Sequence, residues 1–198
     1  MKKSRFPAFP AFPAFPATVA TLHYVPENTL RSIYFGIFSS LLTYASQVWG
    51  QFCNKHVSRL QTIQNKAIRI INFSKFRDPV APLYQKSKIL KLTDHVKIQN
   101  FIYVHNCLKG NIPIALKGSF QKSAVTYSYD TRAPRYQHNL ILPKARTQPY
   151  GLNSIKYCAA ALWNVILTKF PEEKFHLQSS NVCKRKITKH FIDGYYNP

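Results

Sequence analysis

Between Asn28 and Phe73 the chain carries two apolar periodicities in succession, and no other stretch narrows its possible folds as much. The first runs Leu30, Ile33, Tyr34, Ile37, Phe38, Leu41, Leu42, Ala45, Val48, Trp49. Its steps of three and four residues describe one face of an α-helix about five turns long. The second runs Val57, Leu60, Ile63, Ala67, Ile68, Ile71. Asn28 is the expected N-cap of the first helix, with Glu27 suited to the positive end of its dipole. Ser39-Ser40 offers a point of bending. Gly50 is expected to close the helix in a left-handed cap. The short connection Gln51–Asn54 then predicts that the two helices lie as neighbours in an αα-hairpin.

Every charge from Asn28 to Arg77 is positive: Arg31, Lys55, Arg59, Lys66, Arg69, Lys75 and Arg77. At 100° per residue, the apolar residues of the second helix, with Ile70, occupy an arc of about 160°. Lys55, Arg59, Lys66 and Arg69 fall within about 80° on the opposite side. No acidic residue stands among them to form i,i+4 pairs, so they do not brace the helix. Two readings remain: an ordinary solvated face, or a row that follows a phosphate backbone. The whole chain carries 28 Lys+Arg against 7 Asp+Glu, a formal charge of +21, and so repels itself unless something anionic is near. RNA or DNA is the expected partner, an anionic membrane surface the runner-up.

Hydrophobic content of 45% and a length of 198 residues allow one domain with a real core, or a small domain with tails. Phe6 to Ala17 repeats Phe-Pro-Ala four times. Proline at every third position excludes a helix or a central strand and favours a polyproline II ribbon. A leader over residues 1–25, disordered or extended, is therefore expected, either as a ligand for an aromatic groove or as a repeat without a role. Met1-Lys2-Lys3 resembles the start of a signal peptide, but prolines interrupt the apolar run that should follow. The segment Leu30–Trp49 has nearly membrane-spanning length, yet it is amphipathic, so no membrane span is expected.

After the hairpin, Asp78–Ser87 reads as a short helix entered through Asp78 with Pro82 early, and Lys88–Leu92 as a linker. A long helix follows from an N-cap at Thr93, with the stripe Ile98, Phe101, Ile102, His105, Leu108, and closes at Lys109-Gly110. His105 on that stripe reads as a hydrogen-bonded core histidine. Between about 111 and 151, prolines and the alternations Val125, Tyr127, Tyr129 and Leu140, Leu142 predict an extended or short-strand segment. Helix returns over Gly151–Thr168, with Asn153 as a candidate cap. Pro171-Glu172-Glu173 opens a basic tail, 169–198, with a weak helix at Asn181–Ile192. Its Lys184-Arg185-Lys186 suits either a nuclear address or a solvated face. The fold class is thus mostly α: a helical hairpin plus further helices.

Cys53, Cys107, Cys158 and Cys183 form no CxxC pair, so no zinc knuckle or redox motif is written, and they read as lone thiols of an intracellular protein. Ser46, the cysteines and the histidines show no nucleophile–base–acid spacing, and no glycine-rich phosphate loop occurs. No cofactor and no small-molecule substrate are expected. Tyr127, Tyr129, Arg132, Arg135 and Tyr136 interleave aromatics with cations, as a segment that stacks on unpaired bases would. Tyrosines packing an extended arm onto the helices explain the same pattern.

Leu30…Tyr34…Leu41-Leu42-Thr43-Tyr44…Val48-Trp49-Gly50 resembles the region just beyond the polymerase palm of non-LTR (LINE-type) retrotransposon reverse transcriptases. So does Leu60-Gln61…Gln64-Asn65-Lys66-Ala67-Ile68-Arg69-Ile70-Ile71. Tyr129-Asp130-Thr131-Arg132, Leu142-Pro143…Arg146-Thr147…Gly151, and Ser154-Ile155-Lys156-Tyr157…Ala161-Leu162-Trp163-Asn164 are similar to that family's C-terminal region, in the same order. The resemblance implies a helical thumb-like region over 26–110 and a reverse-transcriptase-associated region over 111–168. The family copies RNA into DNA, using paired carboxylates that hold two Mg²⁺ ions. No Asp-Asp pair exists here; Glu172-Glu173 are the only adjoining acids. The chain therefore reads as a non-catalytic, truncated transposon fragment whose basic helix touches a nucleic-acid backbone. A domesticated or relic interaction protein, binding another chain through exposed apolar helices, is the alternative.

Overall fold

The computed structural model describes residues 25–50, 54–116, 118–122, 138–170, 173, 175 and 177–195. These residues are mostly helical, as the periodicities predict. The first helix departs from expectation in its continuity. Helix α1, Glu27–Ile33, passes into a π-helical turn, Tyr34–Ser39, and then α2, Ser40–Thr43. The Ser40 hydroxyl donates to the carbonyls of Gly36 and Ile37, both at 2.8 Å, so a side chain competes for the acceptors of the helical ladder there. Tyr44 turns extended and Ala45 adopts φ 48°, breaking the chain before α3, Ser46–Trp49. The Trp49 indole donates to the Tyr44 carbonyl at 2.7 Å and holds the break. The helix also starts two residues early, with Pro26 rather than Asn28 at the cap.

Gly50 closes α3 with φ −64°, so it is not the left-handed cap expected of it. A Cβ at this position would lie 2.6 Å from a Val96 methyl and 2.5 Å from the Ser46 carbonyl oxygen. Close approach to a neighbouring helix, not backbone conformation, is what requires glycine here.

That neighbour is α6, Leu92–Leu108. Helix α4, Asn54–Ile71, and the short α5, Ala81–Ser87, complete the N-terminal part. Leu30, Tyr34, Ile68, Ile71, Tyr84 and Ile89 form its buried cluster, which joins α1 to α4 and α5. The two first helical stretches are thus neighbours at this cluster, while α3 leans on α6 instead: Gln47 donates to the Gln99 carbonyl at 3.2 Å. Asp78 does not cap α5, which is entered through Val80; its carboxylate accepts from the Lys75 backbone at 2.7 Å and ties the preceding loop. Lys109 and Gly110, the latter at φ 76°, close α6 as expected.

The second cluster surrounds α6 with α7, Ile155–Lys169, and α8, Ser180–Asp193. Trp163 stacks on Phe101 with ring centroids 4.7 Å apart. Ser154, rather than Asn153, caps α7, accepting from Tyr157 N at 3.3 Å. Helix α8 is docked through Cys183 and Ile187, both buried, so the stretch read as a weakly helical tail contributes to the core. His105 is the hydrogen-bonded core histidine expected: its ring nitrogens lie 3.1 Å from Ser180 Oγ and from the carbonyls of Phe175 and Gln178. Asn164 holds Leu140 at both backbone groups, at 2.8 and 2.9 Å. Among the described residues the strand-like feature of the middle segment is one antiparallel bridge, Lys122–Leu140. Val125, Tyr127 and Tyr129 lie outside them.

Candidate nucleic-acid interface

Helix α4 presents two faces of different chemistry. Its buried line is Val57, Gln64, Ile68 and Ile71, with Gln61 and Asn65 half-buried beside it. Taking Val57 as zero at 100° per residue, this line centres roughly 50° away from the centre of the apolar arc, toward Gln61 and Asn65. The rotation has a cause. Gln64 donates to the Tyr34 hydroxyl at 2.9 Å and to the Leu90 carbonyl at 2.8 Å. Its carbonyl and that of Gln61 both accept from Leu92 N, at 2.8 and 2.9 Å. Gln61 also reaches Tyr84 Oη at 2.8 Å, and Tyr84 donates to Asn65 at 2.8 Å. The two glutamines therefore cap α6 from a neighbouring helix, so Thr93 is not needed as its N-cap. Burial pushes both the Tyr34 and the Tyr84 hydroxyl up, Tyr84 the further, so both act only as neutral hydrogen-bonding groups.

The same rotation divides the cationic row. Ile63, assigned to the apolar face, is 41% exposed. Arg59 and Lys66 are exposed. Arg69 is turned toward the fold: Nε and Nη2 donate to the Asp78 carbonyl at 3.3 and 3.2 Å, and the guanidinium lies 5.7 Å from the centre of the Phe76 ring. Lys55 stands in the first turn of α4. Arg132 and Arg135, with Tyr127, Tyr129 and Tyr136, lie outside the described residues. The ion pairs among the described residues are Lys97–Asp94 at 2.9 Å and Lys186–Glu173 at 2.6 Å, and neither involves α4.

Other exposed cations are Lys75 and Arg77 in the loop after α4, and Lys184, Arg185 and Lys189 on α8. Lys186 of the same basic triplet is held by Glu173, whose carboxyl this contact, helped by Gln178, keeps below the usual range. The groups that could serve catalysis are placed otherwise. Ser46 and Cys183 are buried, and burial raises the Cys183 thiol, which disfavours a thiolate. Among the described residues no three His, Cys, Asp or Glu side chains are gathered as a metal set, and no helix is long and apolar enough to cross a membrane.

One surface departs from the sequence pattern. Along α1 to α3 the side chains of Ile33, Ile37, Leu41, Tyr44 and Val48 are exposed, Ile37 at 63%, Leu41 at 73% and Tyr44 at 80%. The sequence assigns most of them to a buried face, and their neighbours Leu30 and Tyr34 are in fact the ones that are buried. Comparison with protein-family models, with curated proteins and with solved structures finds no match to this chain.

Proposed function

We propose that the chain is a non-catalytic fragment from the C-terminal part of a non-LTR reverse transcriptase, which grips a nucleic-acid backbone through the outer face of α4. The observation that carries this reading is the pairing, on one helix, of a buried glutamine face with an exposed face bearing Arg59 and Lys66 and no acid. Cations on a rigid helix suit phosphate contact without a base-specific code. The chain's formal charge of +21 supplies long-range attraction to any nucleic acid. The motif order from Leu30 to Asn164 supports the family assignment. The absence of an Asp-Asp pair from the sequence supports a role without polymerase chemistry.

Changing Arg59 and Lys66 to Gln should weaken binding equally for unrelated RNA or DNA sequences. The slope of log K against log salt should fall by roughly 0.7–0.9 for each phosphate no longer neutralised. Wild-type affinity and slope in the double variant would overturn the reading. A primed RNA template with dNTPs and Mg²⁺ should not be extended; extension above a heat-treated control would overturn the non-catalytic part.

The exposed stripe along α1 to α3 favours a second reading, an interaction protein that binds another chain through apolar helices. Salt separates the two: phosphate binding weakens steeply as salt rises, apolar association does not.

A further inference from the structure

A cleft of about 140 Å³ opens between the C-terminal half of α7 and α8, and we infer that it seats one unpaired pyrimidine base of a nucleic-acid strand, with the adjoining phosphate on Lys97 and Lys169. The inference rests on the nucleic-acid reading above and adds to it: α4 holds a backbone of any kind, whereas this cleft selects single strands. A base inside a duplex is paired and stacked, so it cannot enter a pocket without leaving the helix. Size is the first argument. An apolar cavity of about 150 Å³ holds one benzene ring. A single six-membered ring therefore fills the cleft, and the fused rings of a purine overfill it.

The lining is the second argument. Leu162, Val165 and Ile166 of α7 and Ile187 of α8 supply aliphatic walls, and Phe170 and Phe191 add rings. The His190 ring stands edge to face against Phe170, with centroids 4.7 Å apart, which fixes its position. Surfaces of this kind take a base by stacking, which every base offers. Lys97, Lys169 and His190 are the polar side chains of the lining among the described residues, so base edges are not read and fit alone selects.

Charge is the third argument. Lys169 is exposed and forms no ion pair among the described residues. Lys97 is held beside the cleft: its Nζ lies 2.9 Å from Asp94 Oδ1 and 5.6 Å from the centre of the Phe191 ring. Its side chain stays about half exposed, so ammonium donors remain for a phosphate. Among the described residues no acid lines this cleft. An adjoining hollow of about 300 Å³, which shares Phe170, Ile187 and His190, differs in this respect. Glu173 and Asp193 line it beside Lys186 and Lys189, and Lys186 is already paired with Glu173. An anion is therefore drawn to the smaller cleft.

The test titrates the full chain with an oligothymidylate and with an abasic strand of the same length, which keeps every phosphate and lacks every base. The abasic strand should bind at least about fivefold more weakly. Methyl resonances of Leu162, Val165, Ile166 and Ile187 should shift with the oligothymidylate and not with the abasic strand. Val165 is half exposed, so Val165→Gln lays an amide over the cleft without a change of charge. It should bring the oligothymidylate affinity down toward that of the abasic strand and leave the abasic affinity unchanged, with circular dichroism checking the fold. Equal affinity for the two strands, methyl groups that do not move, or a Val165→Gln effect that is absent or the same for both strands would each overturn the inference while the α4 reading stands. Binding of neither strand would overturn both.

Discussion

On α7, Trp163 lies flat against Phe101 with almost none of its surface in solvent, while along α1 to α3 Leu41 and Tyr44 stand almost wholly in it. Both stretches carry strong apolar periodicity. They differ in how many elements converge on them. Around α6 and α7, helix α8 and the segment through Leu140 close in from different sides, and polar anchors fix their approach: Asn164 on the Leu140 backbone, and His105 on the Phe175 and Gln178 carbonyls. Among the described residues, the first segment is covered on one side, by α4, α5 and α6. A periodic sequence says which residues share a helix face. Whether that face is covered depends on elements far away in the chain.

The sharpest way to break this contrast is to truncate one residue on each side. Trp163→Ala removes a stacked ring from a closed core and should cost about 3–5 kcal/mol. Leu41→Ala removes an exposed side chain and should change global stability by about 0.5 kcal/mol or less. Urea midpoints at constant m-value measure both. Equal losses would mean that the two clusters are closed to the same degree.

The next test lies inside the N-terminal cluster. Gln64→Leu keeps size and gains hydrophobicity, yet it strands the Leu90 carbonyl and the Tyr34 hydroxyl, and leaves Leu92 N with Gln61 alone. A loss of about 1–3 kcal/mol is expected, with earlier hydrogen exchange at the start of α6. A neutral or stabilising result would show that the glutamine pair is not what seats α6.

Arg69 and Arg59 sharpen the division of the cationic row. Arg69→Gln should lower stability by roughly 1 kcal/mol, because the Asp78 carbonyl and the Phe76 ring lose their partner, and should leave the salt slope of binding nearly unchanged. Arg59→Gln should do the reverse. Titrations of one labelled oligonucleotide at several salt concentrations, beside urea melts, distinguish the two outcomes.

These contrasts show what can be read from the sequence alone. Helices over Val57–Ile71, Ile98–Leu108 and Ile155–Ile166 are legible because their apolar steps persist over several turns. The core role of His105 is legible from its place on such a stripe. Ser39-Ser40 marks a place where the first helix can be perturbed, but does not show that the perturbation is a π-helical turn, and the break at Ala45 is hidden altogether, because it goes with Trp49 bonding to a particular carbonyl and the periodicity runs straight through it. The burial of Gln61 and Gln64 is hidden for a related reason. A glutamine signals a core position only when its partner is known, and the partner, Leu92 N, is 28 or more residues away. Without that partner, the pattern places Ile63 on the apolar face and Arg69 among the outward cations.

The smallest expected effect concerns His95, on the half-covered flank of α6. Burial, reinforced by the charge of Lys184 on α8, holds its ring below the usual histidine value of 6.5. Its Nδ1 is buried without a hydrogen-bond partner, and its Nε2 lies 3.4 Å from the Gln99 amide. The folded protein thus keeps this imidazole neutral, whereas the unfolded chain takes up a proton near 6.5. Below that pH the unfolded state binds more protons, so stability falls as the solution is acidified, and the loss levels off once the folded ring also protonates. His95→Gln removes this contribution. Urea midpoints of wild type and variant should therefore converge, or cross in the variant's favour, between about pH 8 and pH 5, while the other histidines cancel in the difference. Lys184→Gln should shrink the same pH-dependent loss without abolishing it, because burial is the larger cause. Parallel curves for wild type and His95→Gln would place that ring in solvent and make this flank of α6 as open as the face that carries Leu41.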